Sequence, residues 1–96
     1  MSLREDVLQT KRDEVLRLVR AHRGRRAYLF GSVARDEAGP ESDVDVLIEF
    51  EAGSSLFDLM HLEDELRTLL GASVDVVSIG GLRPRDEHIR REAVPI

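Results

Sequence analysis

The sequence predicts a small α/β domain: a small mixed β-sheet with helices packed against it. Three observations carry that prediction. Short β-branched runs alternate with amphipathic stretches, Gly and Pro punctuate the boundaries between them, and 42% hydrophobic content in 96 residues suits one core. The whole chain, 1–96, is read as a single domain, since it holds no internal repeat, low-complexity tract or dividing linker.

Element by element, Ser2 to Arg23 reads as a helix. Ser2 and Glu5 form a capping-box pair, and Gly24 offers a C-terminal stop. Leu3, Val7, Leu8, Val15, Leu16, Leu18 and Val19 fall near helical spacing, with a polar gap from Thr10 to Glu14. Arg26 to Phe30 is a short strand closed by Gly31-Ser32, and a short helical turn follows. Asp43 to Phe50 is a second strand, entered from a stretch containing Gly39-Pro40 and Ser42. Ser55 to Leu70 is a helix, capped by Ser55 with Asp58, striped by Leu56, Leu59, Leu62, Leu66 and Leu69, and ended by Gly71. Ser73 to Ser78 is a third strand. Pro84 opens a last helix running to about Val94, where Pro95 stops it.

Composition narrows the function. Charged residues make up 34% of the chain and no apolar run approaches the roughly 20 residues that span a bilayer, so a membrane protein is not expected. Met1 to Asp6 mixes both charge signs without a signal-peptide core, and the cytoplasm is the expected compartment; the absence of Cys excludes disulfides and thiolate metal sites and permits a reducing compartment without proving one. Net charge is −5, and one Tyr with three Phe leaves no stacking platform, so tight nucleic-acid binding by the isolated chain is not expected. All basic residues but Lys11 are Arg, whose forks suit protein carboxylates and nucleotide phosphates alike.

The second strand carries the chemistry. In Asp43-Val44-Asp45-Val46-Leu47-Ile48, side chains alternate, so Asp43 and Asp45 share one face while Val44, Val46 and Ile48 share the other. Their Cα atoms lie roughly 6–7 Å apart at a rise of ~3.3 Å per residue, close enough for mutual repulsion unless a cation neutralises them. Val74-Asp75-Val76-Val77 repeats the pattern, and Asp75 joins the pair if the two strands are neighbours in register. Three such carboxylates form a hard-ligand site suited to Mg²⁺ with substrate phosphates. Solvent-facing positions of a half-buried sheet are the plainer account, although Asp is disfavoured in strands.

Gly31-Ser32 directly follows the first strand. Gly lets a phosphate approach main-chain N–H groups, Ser adds a donor, and the following helical turn presents its positive end to an anion. A Gly-Ser pair alone is more often a plain turn or cap. Combined with Asp43-x-Asp45 and Asp75 it forms a three-part constellation. Arg35, one turn on, reaches either a phosphate, a partner's carboxylate or only solvent. His22, His61 and His88 lack metal-ligand spacing and read as structural. The Arg23-Gly24-Arg25-Arg26 cluster reads as helix-end capping or solvation. Arg83, Arg85, Arg90 and Arg91 suit a solvated helix face or a partner-facing one.

Gly31-Ser32-x10-Asp43-Val44-Asp45, with Asp75 as third carboxylate, resembles the signature of the DNA polymerase beta-like nucleotidyltransferase superfamily. More closely the chain resembles its minimal nucleotidyltransferases (MNT domains), the antitoxins of HEPN/MNT toxin–antitoxin pairs. The likeness extends through Gly31 to Arg35, Ser42 to Leu47, Ser54 to Leu59, Gly71 to Val77 and Arg90 to Val94. Asp36 departs from the Gly usual after the Arg. The resemblance implies the nucleotidyltransferase fold, with Asp43, Asp45 and Asp75 as catalytic residues and Mg²⁺ ligands. It implies Gly31 and Ser32 as binders of the ATP phosphates, and a HEPN-type toxin as partner, with AMP transferred to one of its tyrosine hydroxyls. Two other functions stay open: an antitoxin that only masks its toxin, and adenylylation of a small hydroxyl compound.

Overall fold

The computed structural model describes residues 3–35, 37, 43–81 and 87–96. Ser2, Asp36, Gly39, Pro40, Ser42, Arg83, Pro84 and Arg85 lie outside them, so the readings placed on those residues have no structural counterpart here. The elements run α1 (Leu3–Glu5), a π-helical segment (Asp6–Thr10), α2 (Arg12–Ala21), β1 (Gly24–Phe30), α3 (Gly31–Ala34), β2 (Val44–Phe50), α4 (Leu56–Leu70), β3 (Val74–Ser78), a 3-10 turn (Ile79–Gly81), α5 (Glu87–Glu92) and β4 (Val94–Pro95).

The predicted α/β class is the observed one, with a mixed sheet ordered β3-β2-β1-β4. β1 runs antiparallel to both β2 and β4, and β2 runs parallel to β3. A parallel pair needs a crossover, and α4 supplies it. Helices cover one face of the sheet. There Val15 and Val19 of α2 and Leu62, Leu66 and Leu70 of α4 meet Ala27, Leu29, Val44, Val46, Ile48, Val74 and Val76 in one buried cluster. The alternate residues of the strands, including Tyr28, Phe30, Asp45, Leu47 and Asp75, take the opposite face. Among the described residues, no helix is long and apolar enough to cross a membrane.

Four details differ from the sequence reading. The first helix is not continuous from residue 2 to 23: it breaks at Lys11 (φ −112°, ψ 13°), inside the polar gap where no apolar residue holds the helix to the core. Gly24 is not its left-handed stop. Arg23 takes that conformation (φ 65°), while Gly24 begins β1 and is needed for space, because a Cβ there would run into the Val19 side chain and carbonyl. Leu56 does not join the core stripe of α4; it is 69% exposed beside Phe57 and Met60, and Leu70 takes the final core position. The last helix ends at Glu92, not Val94. Val94 and Pro95 instead pair with Leu29 and Tyr28 as an edge strand, where a residue without an N–H is tolerated.

Other local signals are realised. The Ser55 N–H donates to Asp58 Oδ2 at 2.9 Å, and Gly71 closes α4 in the left-handed conformation (φ 64°) with its N–H on the Arg67 carbonyl. The exposed edge of β3 is blunted by Glu63 of α4, whose Oε2 accepts the Val76 N–H at 3.0 Å.

Candidate functional site

The site is built at the ends of β1, β2 and β3, on the face the helices leave open. Parallel pairing places Asp45 of β2 directly beside Asp75 of β3, and antiparallel pairing places Phe30 of β1 on the other side of Asp45. The register condition set by the sequence is therefore met for Asp45 and Asp75. Asp43 lies one residue before β2 and is exposed, as is Asp75, whereas Asp45 is half-buried.

Electrostatics tie the three acids together. Burial pushes the Asp45 carboxyl above the usual carboxylate range, the neighbouring charge of Asp75 raises it further, and that of Asp43 adds to both. Arg35 opposes the shift. Its guanidinium is held in place, Nε–H donating to Glu37 Oε2 at 3.0 Å and an Nη1–H to Glu92 Oε2 at 3.1 Å. Arg35 thus links the α3 turn to α5 while contributing positive potential near Asp45. Arg4 secures the same turn from below, its Nε–H donating to the Ala34 carbonyl at 3.0 Å.

Gly31 faces Asp45 at close range. It adopts φ +74°, a left-handed conformation that L side chains rarely take, and a Cβ there would overlap Asp45 Oδ2. The chain can turn from β1 into α3 against a carboxylate only because residue 31 is glycine. Ser32 follows in α3, half-buried, while Val33 and Ala34 anchor the turn in the core.

Three carboxylates whose charges oppose one another are hard oxygen donors suited to a small divalent cation. Mg²⁺ commonly takes only one or two carboxylates and completes its shell with water and phosphate oxygens. Among the described residues no three acidic or histidine side chains close into a ready-made cage. Asp45 and Asp75, register partners on one face, are a donor pair of that size.

The remaining candidates fall elsewhere. His22 pairs with Glu65 Oε2 at 2.9 Å and faces the His61 ring at 6.3 Å, on the helical side of the molecule. His88 lies in α5, and its side chain is outside the described residues. In the arginine cluster, an Arg23 Nη1–H donates to the Gly53 carbonyl in the β2–α4 loop at 3.2 Å and the exposed Arg26 pairs with Glu49 of β2 at 3.6 Å; these contacts fit a solvated surface and are not caps of the α2 end.

Sequence reasoning missed a recess on the same open face. Tyr28, Leu47, Ile79 and Ala93 line a cavity of about 220 Å³. Leu47 is 2% exposed yet stands apart from the helical core cluster. Its signal was present: Leu47 shares the parity of Asp45, so an apolar residue occupies a face that alternation alone assigns to solvent.

A family model described as a nucleotidyltransferase domain matches residues 8–95. A Methanocaldococcus jannaschii protein, provisionally named a protein adenylyltransferase, is 39% identical over 84 residues, covering 86% of this chain and 90% of its own. The protein adenylyltransferase MntA of Thermococcus cleftensis is 46% identical over 55 residues, 57% of this chain and 56% of that one. Among solved structures, one described as a minimal nucleotidyltransferase, provisionally so named, superposes with a TM-score of 0.86 at 45% identity, covering 100% of this chain and 97% of its own. At 18% identity and a TM-score of 0.69, the fold also matches the structure of a tri-AMPylated Shewanella oneidensis HEPN toxin in complex with its MNT antitoxin, covering 91% of this chain and 69% of that one.

Proposed function

The chain belongs to the nucleotidyltransferase-domain family, and from that membership we propose that it transfers AMP from ATP to a tyrosine hydroxyl of a HEPN-type toxin, acting as that toxin's antitoxin. The observation that carries the reading is the pairing of Asp45 with Asp75 across β2 and β3, with Gly31 against Asp45. The names of the relatives support protein adenylylation, and the complex of an AMPylated HEPN toxin with an MNT antitoxin supports the choice of partner.

In this reading the Gly31 N–H and the Ser32 hydroxyl hold the β- and γ-phosphates, which fixes the departing pyrophosphate in line with the attack. The tyrosine oxygen attacks the α-phosphorus, and the bond from that phosphorus to the pyrophosphate oxygen breaks. The hydroxyl proton passes to a carboxylate oxygen of Asp75. Asp43, Asp45 and Asp75 are the residues that would hold Mg²⁺, which when bound neutralises charge on the phosphoryl oxygens. Through that cation Asp43 and Asp45 would orient the triphosphate, and Arg35 adds positive potential from the α3 side.

The test is label transfer from ATP carrying its label on the α-phosphate, with the product of the neighbouring gene as acceptor. Label should appear on the partner with wild type and vanish with Asp43→Asn/Asp45→Asn. A wild type that neutralises the partner yet transfers no label would establish masking in place of catalysis.

A further inference from the structure

We propose that the recess formed by Tyr28, Leu47, Ile79 and Ala93 seats the ring of the acceptor tyrosine during transfer. The inference rests on the reading above, and it assigns a place to the acceptor that the carboxylates alone do not.

Position along the strands is the first reason. On the open face, Phe30 stands opposite Asp45, and Tyr28 stands opposite Leu47. Gly31 touches Asp45 from the far end of β1. Asp45 therefore lies between the Gly31-Ser32 turn and the recess. Two residues separate Asp45 from Leu47, about 6.6 Å along a strand.

Stereochemistry is the second. In phosphoryl transfer the entering and leaving oxygens stand roughly in line through phosphorus. With the pyrophosphate at Gly31-Ser32, the entering hydroxyl must come from the opposite side of the reacting phosphorus, where the recess lies. An aromatic ring held among the half-buried Tyr28, Ile79 and Ala93, above the buried Leu47, extends its para-hydroxyl along the strand toward Asp45 and Asp75.

Size and chemistry are the third. The cavity, about 220 Å³, is smaller than the roughly 300–1,000 Å³ typical of small-molecule pockets, so it suits one ring and not a whole nucleotide. Among the described residues the lining is Leu47, Ile79 and Ala93, which are aliphatic, and Tyr28, a phenol. That lining suits a tyrosine, whose ring is apolar and whose tip is polar.

Two variants test the assignment. Ala93→Phe places a ring in the recess, and Ile79→Ala widens it; circular dichroism checks that each folds. Each is assayed with the partner protein for label transfer from α-labelled ATP, and separately for affinity toward a fluorescent non-hydrolysable ATP analogue. The expected result is analogue affinity equal to wild type, with transfer reduced at least about tenfold by Ala93→Phe, as misplacing a reacting group does. Ile79→Ala should lower transfer less, through a weaker seat. If Ala93→Phe does not fold, Ile79→Ala decides the question alone. Loss of analogue affinity in step with transfer would place the adenine there and overturn the assignment, as would transfer equal to wild type in both variants. A wild type that labels nothing overturns the transferase reading itself, which the wild-type lane shows separately.

Discussion

Asp45 and Asp75 are register partners across the parallel β2–β3 ladder, which brings two carboxylates together on one face of the sheet. Adjacent strands lie about 4.8 Å apart, so neither acid escapes the other's field. The fold accepts this repulsion, together with the partial burial of Asp45, at the site proposed for transfer.

Stability should record that burial first, and the repulsion with it. The raised Asp45 carboxyl means that the folded chain holds this proton to a higher pH than the unfolded chain does. Between the ordinary carboxylate value and the raised one, the folded state binds more protons, so its stability falls as pH rises through that window. Below the window the penalty is absent; above it the penalty is complete. Asp45→Asn should remove this component of the pH dependence and raise the melting midpoint at neutral pH. Thermal unfolding of both proteins across a pH series measures it, and an Asn variant melting below wild type at neutral pH would contradict the account.

Divalent cation should act in the opposite direction. If Mg²⁺ together with an ATP analogue binds at these acids, it stabilises the folded state by mass action, with about 2.7 kcal/mol expected at a hundredfold excess over its dissociation constant. The shift should be present in wild type and absent in Asp43→Asn/Asp45→Asn. Equal shifts in both would move the cation elsewhere.

Much of this arrangement was legible in the sequence. The alternation in Asp43 to Ile48 assigned Asp45 to the face opposite Val44 and Val46, and the Val74-Asp75-Val76 echo anticipated its neighbour. Gly31 after an apolar strand marked the turn. The break at Lys11 was visible only as a polar gap, because local spacing does not reveal which turns the core will hold. Leu56 matched the stripe of α4 in sequence but is its first residue, where the side chain stays exposed. β4 was hidden because it is two residues long and contains Pro95; only its partner strand makes it a strand.

Gly31→Ala should damage both stability and transfer. The left-handed backbone at φ +74° costs an alanine about 1–2 kcal/mol, and its Cβ displaces the Asp45 carboxylate besides. Chemical denaturation should show a loss of at least that size. A variant as stable and as active as wild type would mean that the turn relaxes freely and that Asp45 needs no fixed position.

Away from the site, Asp58→Ala isolates the cap of α4. It removes the carboxylate that accepts the Ser55 N–H and should cost about 0.5–1.5 kcal/mol in urea unfolding, the net worth of one hydrogen bond. Nucleotide affinity should not change, since α4 covers the opposite face of the sheet.

In the proposed function this chain places AMP on a tyrosine of a partner protein. Tandem mass spectrometry of the partner, after incubation with wild-type protein, ATP and Mg²⁺, tests it most directly. The account predicts an adenylyl group on a tyrosine hydroxyl, absent when Asp43 and Asp45 are replaced by Asn. A partner that is neutralised yet returns every tyrosine unmodified, or carries the group equally with the Asn variant, would contradict it.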